Sequence, residues 1–225
     1  MNVNLVSSES EDEPDESTPV TSPCCRAGLY IAQTTLTDAN GQRLNEMGLF
    51  TSVPLNPGAF VGLYNGHWWD VDAYESIPQA QRLQLDRYSI STSGDQDGEI
   101  VVSPPLTGER PSPHTYPLAM SNEPSALSEA NCVLQEYSFL LDEVNVDPDT
   151  VPEERQTDEF IGAGLMICRR VGKNRELFWH YGNAYPRPYT VGRSCRMPPR
   201  NVRQDPLTVL GRIPPDACSL NVREA

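Results

Sequence analysis

The chain has 225 residues, 38% of them hydrophobic, and a net charge of -14, enough for one domain with a real core. No stretch approaches the roughly 18 apolar residues of a membrane span and the first residues lack a secretory signal's apolar run, so a soluble, non-secreted protein of the cytoplasm or nucleus is expected. Residues 1–168 hold 27 acidic against 6 basic side chains and residues 169–225 hold 4 against 11; the body therefore lacks the basic face that nucleic acid requires and suits a basic partner.

In chain order, residues 1–23 are an acidic tail. Between Ser7 and Pro23 it carries six acids and no base, and with so little apolar surface to offset ordering entropy it is expected to be disordered. From Gly28 the texture turns strand-like. Gly28–Leu36, Met47–Val53 and Ala59–Tyr64 read as strands, with turns at Asp38-Ala39-Asn40-Gly41 and Pro57-Gly58. Apolar residues at Tyr74, Ile77, Ala80, Leu83 and Leu85 predict one short helix, with Pro78 near its start. Arg87–Ser91 and Glu99–Val102 form a hairpin pattern, and proline-rich coil covers 103–117.

Cys132–Leu141 is the longest strand signal. Residues 142–159 then place eight acids and two prolines against one Arg, which reads as an exposed, solvated loop. Phe160–Arg170 and Glu176–His180 are strands around a turn at Gly172-Lys173-Asn174, and the Arg- and Pro-rich arm at 193–225 shows no periodic element. The six cysteines, at 24, 25, 132, 168, 195 and 218, lack the spacing of a metal knuckle. No metal site is expected, and reduced, mostly buried thiols are.

Three segments stand out together. They are Gly48-Leu49-Phe50 followed by residues 55–66, Asn122-Glu123-Pro124 followed by Asn131-Cys132, and Glu176-Leu177-Phe178-Trp179-His180-Tyr181-Gly182. In this order and spacing they resemble the SET domain of protein-lysine methyltransferases, over roughly residues 24–192. The resemblance implies a mainly β fold of small sheets with few short helices and a pseudoknot formed by residues 119–132 and 176–189.

It also implies S-adenosylmethionine as methyl donor and a lysine-containing basic protein or peptide as substrate. Tyr181 is then the catalytic tyrosine, and Gly48, Phe50, Asn122 and Asn131 bind the cofactor. Glycine suits such a turn because it lets backbone approach a ligand. The stretch with Tyr185, Arg187 and Tyr189 resembles SET-like proteins of algae and large DNA viruses.

Several positions depart from the family pattern. Glu46 replaces the turn's first glycine, unless Gly41 serves across an insertion. Glu123 and Pro124 replace His and Ser, the usual Arg before the Asn is absent, and the trailing cysteine cluster is reduced to Cys195. These departures motivate a second reading, a SET-like structural or binding module such as a virus-particle component held to its neighbours by its two tails. Trp68, Trp69 and Trp179 read as packing residues before channel walls. His180 is expected to point away from Tyr181, because neighbours on a strand alternate faces.

Overall fold

The computed structural model describes residues 18–19, 25–38, 40–95, 98–105, 111–113, 115–126, 128–139, 160–182, 185 and 190–210. The acidic loop at 142–159, the tail apart from Thr18–Pro19 and the arm beyond 210 lie outside them.

Among these residues the chain forms three small antiparallel sheets and a few short helices, consistent with the SET-like architecture that the resemblance implied. In the first sheet β1 (Thr18–Pro19), β2 (Leu29–Gln33), β3 (Met47–Thr51) and β10 (Arg175–Glu176) lie side by side in the order β1-β2-β3-β10. Leu29, Ile31 and Leu49 are buried there, each full burial stabilising by about 1.5–3 kcal/mol. The second sheet has the order β4-β9-β8, from β4 (Phe60–Leu63), β9 (Phe160–Ile167) and β8 (Cys132–Phe139). The central strand β9 is buried from Gly162 to Ile167, as its unbroken apolar run requires. The third sheet joins β5 (His67–Asp70), β7 (Gly98–Ser103) and β6 (Ile90–Asp95) in the order β5-β7-β6.

Several local expectations need correction. The single helix expected across Tyr74–Leu85 is two, α1 (Val71–Ser76) and α2 (Gln79–Leu85). Pro78 forces the break, because the residue before a proline is pushed out of the helical region and Ile77 is extended at φ -61, ψ 135. The tryptophan pair, by contrast, packs as expected, within β5. Trp68 is buried in the core, and the Trp69 indole donates to Ser103 Oγ at 2.9 Å. The strand expected at Glu176–His180 ends as a ladder at Glu176, and Phe178 and Trp179 continue as single bridges.

The stretch after Gly192 was expected to carry no element. It contains a 3-10 turn at Arg200–Val202 and α3 (Pro206–Leu210), with Leu210 buried in the core. Gly58, at φ +86, seats this stretch: a Cβ there would overlap the Val202 carbonyl, and Gln204 N–H donates to Gly58 O at 2.7 Å. Cys168 and Cys195 are joined in a disulfide, with Cα atoms 6.2 Å apart, which corrects the expectation of reduced thiols. Cys25 and Cys132 are buried and are not joined in a disulfide. No helix among the described residues is long and apolar enough to cross a membrane.

Candidate functional site

Two segments cross next to the first sheet. Asn122 bridges Phe178 and Cys132 bridges Trp179, both in parallel sense. The N–H groups of Asn131 and Cys132 donate to Phe178 O at 2.9 Å, and Trp179 N–H donates to Asn122 O at 3.1 Å. Segments 119–132 and 176–189 therefore meet, as the resemblance required of a pseudoknot. Asn131 is the clasp. Its Nδ2 donates to Glu176 O at 2.8 Å, and its Oδ1 accepts from Phe178 N–H at 2.8 Å.

Beneath the crossing sits the carboxylate of Glu176, which is buried. Its Oε1 accepts from Thr34 Oγ1 at 2.6 Å and from Asn122 Nδ2 at 3.0 Å. Its Oε2 accepts from the Thr35 N–H and hydroxyl, both at 2.6 Å. A carboxylate offers only acceptors, and all four partners are donors. Gly48 faces this group, and a Cβ there would overlap Glu176 Oε1. Phe50, opposite Glu176 in the ladder, stacks on Tyr30 with ring centroids 5.4 Å apart. Asn122 Nδ2 also donates to Met47 O at 2.9 Å.

Gly48, Phe50 and Asn131 therefore contact protein groups that shape the knot. Asn122 keeps its Oδ1 without a hydrogen bond among the described residues, a carbonyl able to accept from an ammonium such as the one S-adenosylmethionine carries. The group fits this part of the site at that atom. Glu46, the departure in the turn, is exposed, and its carbonyl accepts from Thr34 N–H at 2.9 Å.

Tyr181 lies just past the crossing. Its hydroxyl donates to Ser121 O at 2.9 Å, an acceptor shared with the Trp179 indole at 3.2 Å. Its ring stands between Trp179 and Tyr185, with centroids at 4.9 and 5.0 Å. Its N–H donates to Glu123 Oε1 at 2.8 Å. Glu123 is one of the departures from the family pattern, and here it is a buried support under the tyrosine's backbone.

The His180 imidazole turns toward the residues that follow it. Nδ1 accepts from Gly182 N–H at 3.1 Å and lies 3.9 Å from Glu123 Oε1, while the Tyr181 hydroxyl is directed at Ser121. Cys132 donates weakly to Asn131 Oδ1 at 3.3 Å, and burial pushes its thiol well above the usual range, which keeps it protonated and unreactive. Sequence reasoning brought out Tyr181 and Asn122 and overlooked Thr34, Thr35 and Ser121. Nothing in their local sequence sets them apart, and for Ser121 the interacting group is a backbone carbonyl, which every residue has.

A groove of about 590 Å³ opens on the other side of the crossing, between the turn after β9 and the segment at Ser128–Asn131, with Thr35, Phe178, Arg170 and Arg175 on its walls.

No protein-family model matches the chain, and no curated protein matches it. Among solved structures it is similar to a chain of apo ctPRC2 with two mutations in Ezh2, at 19% identity and a TM-score of 0.42 over 72% of this chain. It is also similar to a humanized mutant of the Chaetomium thermophilum Polycomb Repressive Complex 2 bound to the inhibitor GSK343, at 19% identity and a TM-score of 0.41 over 72% of this chain. The chain spans 16% of the length of each of these proteins.

Proposed function

We propose that the chain is a SET-like methyltransferase that transfers a methyl group from S-adenosylmethionine to the side-chain amine of lysine in a basic protein or peptide. One observation carries this reading. The crossing of the two segments sets the Tyr181 hydroxyl on the Ser121 carbonyl, next in sequence to Asn122, inside a cluster of three aromatic rings.

In this reading Asn122 receives the cofactor's ammonium on Oδ1, the atom left open when its amide hydrogens go to Glu176 and Met47. Gly48, Phe50 and Asn131 act one step back: Gly48 leaves room for Glu176, Phe50 packs beside it, and Asn131 clasps the strand that carries it. The bound cofactor supplies an electrophilic methyl group on a sulfonium sulfur.

The half-buried rings of Tyr181 and Tyr185, with the buried Trp179 packed behind Tyr181, favour a lysine side chain in its ammonium form before and after reaction, by cation–π attraction. The bond to Ser121 O fixes the phenol's orientation. Tyr181 would then hold the lysine amine, once its ammonium has released a proton to solvent, at near-attack distance from the methyl group, with the sulfonium sulfur leaving as a neutral thioether. The excess of acidic over basic residues within 1–168 favours a basic substrate.

Calorimetric titration with S-adenosylmethionine, followed by transfer of labelled methyl to lysine-rich peptides, tests the proposal. Saturable binding is expected, with turnover lowered about 100-fold or more in Tyr181→Phe. Absence of binding at millimolar cofactor would sink it.

A second reading is favoured by the Glu176 carboxylate, which fills the space beside Gly48 with the protein's own atoms. The chain would then be a binding module that holds a basic segment against the aromatic cluster without transferring anything, for example within a virus particle. Tyr181→Phe would leave peptide binding nearly unchanged in that case.

A further inference from the structure

We propose that the Cys168–Cys195 disulfide is a reducible latch that holds segment 122–131 of the knot closed and so regulates the site at Asn122 and Tyr181. The effect on methyl transfer rests on the function proposed above; the latch itself does not.

The disulfide lies against the Asn131 clasp. Cys168 directly follows β9, and its N–H donates to Asn131 O at 2.9 Å. Its Sγ is 3.9 Å from Ala130 O, and Cys195 Sγ is 3.3 Å from Cys132 O. Both sulfurs therefore rest on the backbone around the residue whose side chain holds Glu176 and Phe178. Just before Cys195 the chain pairs with the same segment. Gly192 N–H donates to Pro124 O at 2.8 Å, Arg193 N–H to Ser128 O at 3.2 Å, and Ala130 N–H to Arg193 O at 2.8 Å. Gly192 fits closely there, since a Cβ would overlap the Ser125 and Ser128 carbonyls.

Such bonds exchange with bonds to water and are individually weak. The disulfide pins the pairing close behind Arg193. Beyond it, among the described residues, the stretch next bonds to a strand-bearing part of the molecule at Gln204, whose N–H donates to Gly58 O at 2.7 Å. Without the disulfide, the whole stretch before Gln204 is free to lift. The site feels this because Tyr185, whose ring packs on Tyr181, lies in sequence between two anchors on the segment. These are the Tyr181 N–H on Glu123 and the Gly192 N–H on Pro124.

Both cysteines are half-buried, within reach of a small dithiol. One thiolate of the dithiol attacks either sulfur; the S–S bond breaks, and its electron pair leaves on the other sulfur, which takes a proton. The second thiolate then displaces the captured cysteine. The dithiol ends as a cyclic disulfide and both cysteines as thiols.

Amide exchange in the full-length protein, resolved by residue with and without dithiothreitol, tests the latch. Reduction lowers the stability of the whole molecule, so Ile167, bonded to Ala59 O in the second sheet, serves as the reference. Relative to Ile167, exchange at Ala130, Tyr181, Gly192 and Arg193 should quicken roughly tenfold or more on reduction and recover on reoxidation. Cys195→Ser should show the raised ratio with or without dithiothreitol. Saturating S-adenosylmethionine should slow the same amides in the reduced protein by roughly tenfold or more. Unchanged ratios overturn the proposal, because the disulfide then stabilises the molecule uniformly. So does opening that leaves Tyr181 untouched, or cofactor that binds without slowing these amides. An oxidised protein that binds no cofactor sinks the methyltransferase reading alone, and the exchange ratios then decide the latch.

Discussion

The carboxylate of Glu176 shows how one side chain ties three parts of the sequence together. It gathers donors from Thr34 and Thr35 after β2 and from Asn122 in the knot, and it needs the missing Cβ of Gly48 in β3. Glu176→Gln turns an acceptor into an amide donor that faces these donors. A loss of about 2–4 kcal/mol is expected in urea denaturation, and Gly48→Ala, which drives a methyl group into the same carboxylate, should cost about 1–3 kcal/mol. An unchanged midpoint in both variants would show that the cluster contributes little. Gly48 was legible as a small residue in the right place, but the reason for its smallness lies far downstream in sequence. Thr34 and Thr35 were not legible, because a threonine after a strand is ordinary.

Cys132 gives a pH prediction at the same scale. Burial raises its thiol above the ordinary value of 9.0, so the folded protein keeps a proton that the unfolded chain loses. The contribution is fully present below pH 9.0 and declines as pH rises beyond it. Unfolding midpoints should fall between pH 9 and 10, and less steeply in Cys132→Val, in which no thiol titrates.

At the scale of elements, the C-terminal stretch depends on long-range anchors that periodicity does not reveal. The disulfide Cys168–Cys195 joins the end of β9 to this stretch across 27 residues. Closing a loop of that length in the unfolded chain corresponds to about 3–4 kcal/mol of stabilisation. A reductant, or Cys195→Ser, should lower the unfolding free energy from urea denaturation by about that amount, whereas the same reductant should leave Cys195→Ser unmoved. The α1–α2 break was readable in kind, since Pro78 was visible, but not in place. Neither the arm's turn at Arg200–Val202 nor α3 has enough residues for a helical pattern to emerge. The turn is placed by its contact with Gly58, and α3 by the burial of Leu210 in the core, not by their own sequence.

At the scale of the whole molecule, the knot decides whether three small sheets behave as one body. The first sheet contributes β10 to the crossing, and the second contributes the start of β8. These parts were legible because the motif residues are chemically distinctive and their order is fixed. The crossing could be inferred only through the resemblance, since no local pattern encodes a parallel bridge between segments so far apart. Asn131 tests the coupling. In Asn131→Ala the Glu176 carbonyl and the Phe178 N–H lose their side-chain partner, at a cost of about 2–4 kcal/mol. If the knot unfolds as a unit, amide exchange should quicken roughly 30- to 700-fold at Cys132 and Trp179, within the crossing, and equally at Leu177, whose N–H donates to Leu49 O in the first sheet. Acceleration confined to residues next to Asn131, with Leu177 unaffected, would mean that the sheets are stabilised separately and that the crossing only positions Tyr181.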